Sequence, residues 1–383
     1  MKKIVIASDS FKGSLSSKEV SEAVTKGIRC IYPSCETVSL VLGDGGEGTC
    51  EAIAGTMPCK WVQTRTQDPL GRGCTARYAI CEDASGPVAV IELAQSSGLT
   101  LLSADELDPL RTSTFGTGLM IIDALEKGCR KFIIGLGGSA TNDGGTGMME
   151  ALGVRFMDDA GHPINGCCGE KLEKIAHIDT SQMLQALKES SFTAACDVDT
   201  TFYGESGATH IFAPQKGASE RDIEILERGM KSFSDIILRE FGISLGSVNG
   251  SGAAGGAGGA LQVLLGAKLI KGAELMLDII RFDEIIEDAD LVITGEGRID
   301  SQTFSGKLPS TVLHRASSKG VPVLAICGIV ELTESEIRDS GFLSIIPVRP
   351  RPSTPDELAE AMNPSSASHN ISESLSRFFS QDL

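Results

Sequence analysis

Gly135-Leu-Gly-Gly-Ser139-Ala-Thr141-Asn142-Asp143-Gly-Gly145 follows directly on the apolar run Lys131–Ile134. The run reads as a buried strand, and Met148–Leu152 behind the glycines reads as helix. Glycines and small hydroxyl side chains therefore stand at the carboxyl end of a strand. Glycine permits positive φ and lets a ligand approach the main chain closely. Successive free N–H groups at a helix start make an anion site. Gly137, Gly138, Ser139, Thr141 and Asn142 are the candidate anion-binding residues, and Asp143 is a candidate cation ligand. A tight strand-to-helix turn with an Asx cap is the plain structural alternative.

The pattern recurs. Lys3–Ala7 is a β-rich run that ends in Asp9-Ser10-Phe11-Lys12-Gly13-Ser14-Leu15-Ser16. Ser16 or Ser17 then caps a helix with Glu19 in its first turn and Val20, Ala23, Val24 and Ile28 on one face. Thr37–Leu42 leads into Gly43-Asp44-Gly-Gly-Glu47-Gly48-Thr49 and a helix over Cys50–Ala54. Ala289–Ile293 leads into the loop Thr294-Gly295-Glu296-Gly297-Arg298-Ile-Asp300. Strand, polar loop and helix in alternation predict an α/β fold, a Rossmann-like doubly wound parallel sheet.

Other stretches differ. Trp61–Thr64, Thr75–Ile80 and Val88–Leu93 read as antiparallel strands joined by Gly and Pro turns. Phe192–Cys196 is a strand that ends at Asp197, and Ser219-Glu-Arg-Asp222 is a capping box opening the longest amphipathic helix. Gly250–Gly259 is either a linker or a tightly packed helix start; the apolar helix behind it favours the second. These segments predict a second, mixed α/β domain. The expected division is 1–60, 108–152 and 280–383 in the Rossmann-like domain, and 61–107 with 153–279 in the other.

The 383 residues carry a formal net charge of −17 and a pI of about 4.8, so nucleic acid and anionic membrane surfaces are poor partners. Eleven cysteines occur without a CxxC pair, and no zinc spacing is visible among them and the five histidines. Reduced, mostly buried thiols in a cytoplasmic protein are expected. The amino terminus lacks the apolar core of a signal peptide, and no apolar run nears the length of a membrane helix.

Gly43–Gly48 and Gly250–Gly255 both match GxGxxG, the loose dinucleotide pattern. In the first, Asp44 and Glu47 would meet a bare pyrophosphate with like charge. Acids beside phosphate make sense with a divalent cation between them. That favours a magnesium-nucleotide over NAD, and a NAD-dependent hydroxy-acid dehydrogenase becomes the alternative. A hydroxy-acid binding protein without turnover is the non-catalytic alternative. No GxxxxGK[ST] occurs, which excludes the P-loop class. The strand-end loops together hold carboxylates, hydroxyls, free N–H groups and the cations Lys12 and Arg298. Such a set suits phosphoryl transfer, in which positioning and charge neutralisation do most of the catalysis.

At these loops the chain resembles the bacterial glycerate kinase family, the type that transfers phosphate from ATP to D-glycerate. The resemblance is carried by Asp9–Ser16, Asp44–Thr49, Gly135–Gly145, Cys196–Val198, Pro214–Ala218, Gly252–Gly256 and Thr294–Gln302, in family order across nearly the whole chain. Ser8 stands where the family usually has Pro, and Asp199-Thr-Thr-Phe-Tyr203 replaces the usual Asn-Pro-Leu run. The resemblance implies two α/β domains with the active site in the cleft between them, and ATP, Mg²⁺ and a small hydroxy acid as ligands. Under it, Asp197 is the expected general base, with Asp300 or Asp44 as competitors, and Lys12 and Arg298 supply positive charge. Asp44, Glu47, Asp143 and Glu296 are the expected metal contacts. Asp9, Ser10, Ser14, Gly45, Gly46, Gly255, Gly256, Gly295 and Gly297 join the Gly137–Asn142 loop in holding nucleotide and substrate. The 2-phosphate is the favoured product over the 3-phosphate, and a homodimer is the assembly the sequence allows.

Overall fold

The computed structural model describes residues 1–380 apart from residues 12, 43–48, 84–85 and 349–353. The strands among the described residues are β1 (Lys3–Ser8), β2 (Glu36–Val41), β3 (Cys59–Gln67), β4 (Gly73–Asp83), β5 (Gly86–Glu92), β6 (Lys131–Gly135), β7 (Arg155–Met157), β8 (Pro163–Ile164), β9 (His177–Asp179), β10 (Ser191–Ala195), β11 (Lys268–Ile270), β12 (Leu291–Ile299), β13 (Val323–Val330) and β14 (Ser344–Pro347). The chain divides into two compact units, Met1–Asp44 with Gly272–Leu383, and Gly45–Lys271.

The first unit holds a sheet in the order β14-β13-β12-β1-β2, every pairing parallel. The chain winds outward from β1 to β2 on one side, then from β12 to β14 on the other. The winding reverses between β1 and β12, the place where open α/β sheets bind ligands at their carboxyl ends. Ile4, Ile6, Leu291, Ile293, Leu324 and Ile326 face the helices Ser17–Ile31 and Pro364–Ser380, whose Val20, Val24, Ile28, Ile371, Leu375 and Phe379 complete one core. Strand alternation turns Val5, Val292 and Val323 to the other face, where the helix Leu308–Ser318 packs against β12 and β13. Ser16 caps the Ser17–Ile31 helix in a reciprocal box with Glu19, as the sequence pattern predicts.

The second unit holds a six-stranded sheet, β11-β10-β6-β5-β4-β3. β3, β4 and β5 form an antiparallel meander, while β5, β6, β10 and β11 run parallel. A small antiparallel sheet, β8-β7-β9, belongs to the same unit. Tyr78, Phe132, Phe156, Phe202 and Phe233 are fully buried in its core. The helix Glu220–Phe241 starts at Ser219, whose side chain accepts from the Asp222 N–H in the expected capping box.

Three expectations need correction. Residues 49–60 and 108–152 belong to the second unit and not to the Rossmann-like one, because β3 pairs with β4 and β6 pairs with β5 and β10, while residues 272–279 belong to the first. A strand-helix repeat in the sequence cannot reveal which sheet receives each strand. Thr294–Ile299 is not a loop: β12 continues through it, pairing Glu296 with Cys327 and Arg298 with Ile329 of β13. The partner strand is apolar as far as Val330 and carries β12 beyond the end of β1. Third, Cys59 and Cys81 stand directly opposite each other on β3 and β4 and form a disulfide. The other cysteines are free thiols and mostly buried, as expected. No helix among the described residues is long and apolar enough to cross a membrane.

Candidate active site

Lys12, Asp44, Gly45, Gly46 and Glu47 lie outside the described residues. The remaining candidates fall into two groups, one in each unit.

In the first unit, β1 and β12 bring Asp9 and Glu296 to the switch point. The Asp9 N–H donates to the Gly295 carbonyl at 2.9 Å, and Ser8 Oγ donates to the same oxygen at 3.1 Å. Ser8 thus adds a side-chain tie between the strands that a proline there could not. A Cβ on Gly295 would lie 2.4 Å from the Ile326 carbonyl, so glycine serves close strand packing here. Ser10 N–H donates to Asp9 Oδ1 at 2.6 Å. Phe11 and Leu15 close the loop by exchanging backbone hydrogen bonds, and Ser14 Oγ is buried with no partner among the described residues. Ser14 and Gly297 line a small recess with Phe11, Gly328, Met362 and Asn370. Glu296 is buried and accepts from Thr303 Oγ1 at 2.5 Å. Burial pushes its pKa up, and the negative charges of Asp9 and Asp300 push the same way against Lys307. Lys307 Nζ lies 3.7 Å from Glu296 and 3.9 Å from Asp300. Asp300 also caps the following turn, accepting from the N–H groups of Gln302 and Thr303. Arg298, on the exposed side of β12, donates to Glu331 at 3.3 Å.

In the second unit, the loop after β6 is tied to its neighbours through the main chain. Leu99 N–H donates to the Gly138 carbonyl and Ala140 N–H to the Ser97 carbonyl. Gly137 and Gly138 are half-buried, while Ser139 to Met149 are buried. Asp143 is wholly buried. Its carboxylate accepts from Thr114 N–H, Thr114 Oγ1, Gly145 N–H and Gly147 N–H at 2.7–3.2 Å. Burial raises its pKa and these four donors oppose the rise. With both oxygens engaged, Asp143 braces the loop rather than offering a carboxylate to a cation.

Gly255 and Gly256 pack against this same loop. Gly255 has φ +64°, and a Cβ there would lie 2.0 Å from the Thr141 carbonyl; Gly255 O accepts from Gly144 N–H at 2.9 Å. The Gly-rich run is therefore the tightly packed entry to the helix Ala257–Leu265, and not a linker. Asp197 is exposed just beyond the carboxyl end of β10, and its neighbour Cys196 donates to the Val198 carbonyl. Asp199 pairs with Lys271 at 2.8 Å.

Two cations escape the sequence reading. Lys307 follows a glycine but lacks a P-loop pattern, and only folding sets it beside Glu296. Lys216 lies inside the Pro214–Ala218 motif, which was its one signal. It is 2% exposed, and its Nζ donates to Ser139 Oγ at 2.9 Å and to the Thr141 carbonyl at 2.7 Å. Burial lowers its pKa to about 7, against the opposing pull of Asp143. Among the described residues no three His, Cys, Asp or Glu side chains form a ready metal cage.

A sequence profile of the glycerate kinase family matches residues 4–380. The chain is 42% identical to a glycerate kinase of Halalkalibacterium halodurans, over 93% of each chain. It is 42% identical to the glycerate 2-kinase of Escherichia coli strain K12, over 97% of this chain and 98% of that one. A crystal structure from Salmonella typhimurium LT2, assigned as a glycerate kinase 2, superposes with a TM-score of 0.82 at 39% identity, covering both chains fully.

Proposed function

The chain belongs to the glycerate kinase family and is a kinase, and we propose that it transfers the γ-phosphate of ATP to D-glycerate with the 2-phosphate as product. The observation that carries the reading is the end-to-end match to a relative named for the 2-position. The geometry supports it. A braced glycine-serine loop after β6 suits a phosphate or carboxylate, and an acid cluster at the β1/β12 switch point suits a nucleotide with its cation.

Asp197 is the proposed general base. It stands exposed at the end of a parallel strand, where a carboxylate can accept the proton of the attacking hydroxyl. Ser139, with Gly137 and Gly138, holds an anionic group. Magnesium fits the acids of the first unit: Glu296 is buried close enough to Asp9 and Asp300 for their charges to disfavour its ionised form, and a divalent cation would compensate all three. Kinases hold magnesium with one or two carboxylates plus phosphate oxygens, so a full protein cage is not required. Glu296 and Asp9 would hold the ion, which when bound neutralises charge on the triphosphate. Arg298 on β12 and Lys307 at the start of the helix Leu308–Ser318 add positive charge to the same unit.

Purified protein with ATP, magnesium chloride and D-glycerate should release ADP in step with glycerate consumed. Phosphorus and proton NMR of the product should place the phosphate on the 2-hydroxyl. The 3-phosphate would overturn the regiochemistry. An absence of glycerate-dependent ADP, or absorbance change with NAD and glycerate, would overturn the reaction.

A further inference from the structure

Among the described residues, the Lys216 amine is the one buried cation in the second unit's loop system, and phosphoryl transfer as described above does not use it. It comes from the turn Pro214–Lys216, far in sequence from the loop it supports. Its two hydrogen bonds reach Ser139 and Thr141, which bracket the tight part of that loop. Ser139 Oγ spends a lone pair on the Lys216 N–H. Its own hydrogen is then left to donate elsewhere, and among the described residues it has no protein acceptor. Thr141 Oγ1 and Asn142 Oδ1, beside the lysine contacts, are buried without a partner among the described residues. Buried polar groups are nearly always satisfied, so a loop that leaves several unsatisfied is built to complete its bonding with something else. An anion in front of the loop would favour the charged form of the lysine amine behind it, and that gives the partner its sign.

We propose that Lys216 is a positioning residue that turns the Ser139 hydroxyl into a committed donor toward an anionic oxygen of the substrate pair. That oxygen belongs either to a nucleotide phosphate or to the carboxylate of the hydroxy acid; both share the chemistry and kinetics separates them. The inference rests on the kinase reading above. Lys216 touches no substrate in this scheme. It acts through Ser139 and through its hold on the Thr141 carbonyl.

The test measures KM and kcat for ATP and for D-glycerate in the wild type, Lys216→Met, Ser139→Ala and the double variant. Losing a charge-assisted donor predicts a KM raised at least about tenfold for one of the two ligands, the same one in both single variants. The double variant should be little worse than either single one, since both break one chain of contacts. A rise confined to ATP assigns the phosphate, and a rise confined to glycerate assigns the carboxylate. KM values that stay within threefold, a loss of kcat alone, or an equal rise for both ligands would overturn the proposal. If Lys216→Met does not fold, Lys216→Arg, which keeps a cation but changes the donor geometry, takes its place beside Ser139→Ala under the same criteria. A wild type without glycerate-dependent ADP release fails the kinase reading instead, and the variants are then not what failed.

Discussion

Asp197 and Lys216 show how two charged side chains of one unit take opposite parts. Asp197 is exposed past the end of β10 and is the proposed general base. Replacing it by Asn keeps its size and removes its basicity. Steady-state assays should find kcat lower by at least about a hundredfold, and near-normal turnover would remove it from the role. Lys216 is buried and its pKa is lowered to about 7 from 10.5. Between those values the unfolded chain binds this proton more tightly than the folded one, so its contribution to stability rises with pH there. Urea unfolding of wild type and Lys216→Met, compared from pH 7 to pH 10, should show the difference moving in favour of the wild type. The slope is at most about 1.4 kcal/mol per pH unit. A difference flat in pH would mean that folding leaves this amine's proton affinity unchanged.

At the scale of elements, the chemistry depends on how closely loops approach each other. The turn before the helix Ala257–Leu265 meets the loop after β6 through Gly255, with no room for a side chain. Gly255→Ala combines an unfavourable left-handed backbone with a Cβ pressed on the Thr141 carbonyl. Denaturant titration should show a loss of at least about 2 kcal/mol, and activity should fall with it because Thr141 holds Lys216. Helix starts were legible without the fold: Ser16 with Glu19 and Ser219 with Asp222 are local boxes whose partners lie three residues apart. The extent of β12 was not legible. Gly295, Glu296 and Gly297 read as loop residues, yet pairing to an apolar β13 keeps them extended.

Among the described residues, each unit carries a hydrophobic core of its own. One gathers Ile4, Ile293, Ile371 and Phe379; the other gathers Tyr78, Phe132, Phe202 and Phe233. Truncating a fully buried phenylalanine costs about 3–5 kcal/mol. Phe379→Ala should therefore lose hydrogen-exchange protection in 1–44 and 272–380 first, and Phe233→Ala in 45–271 first. Equal loss everywhere in both variants would show that the units unfold as one. The division itself was misread for 49–60, 108–152 and 272–279. Periodicity reports that a strand is buried on both faces, and both units bury such strands.

By itself, the sequence determined the α/β class, the order of most elements, the helix caps and the glycine-and-acid loops at strand ends. Each of these depends on residues close together along the chain. Only the tertiary structure decided which sheet takes β6, that Cys59 meets Cys81, that Asp143 is a brace, and that Lys216 stands behind Ser139. Those facts turn on pairings between distant segments and on which groups lose water together. Burial and long-range contact, unlike turn chemistry, leave no local mark in the order of residues.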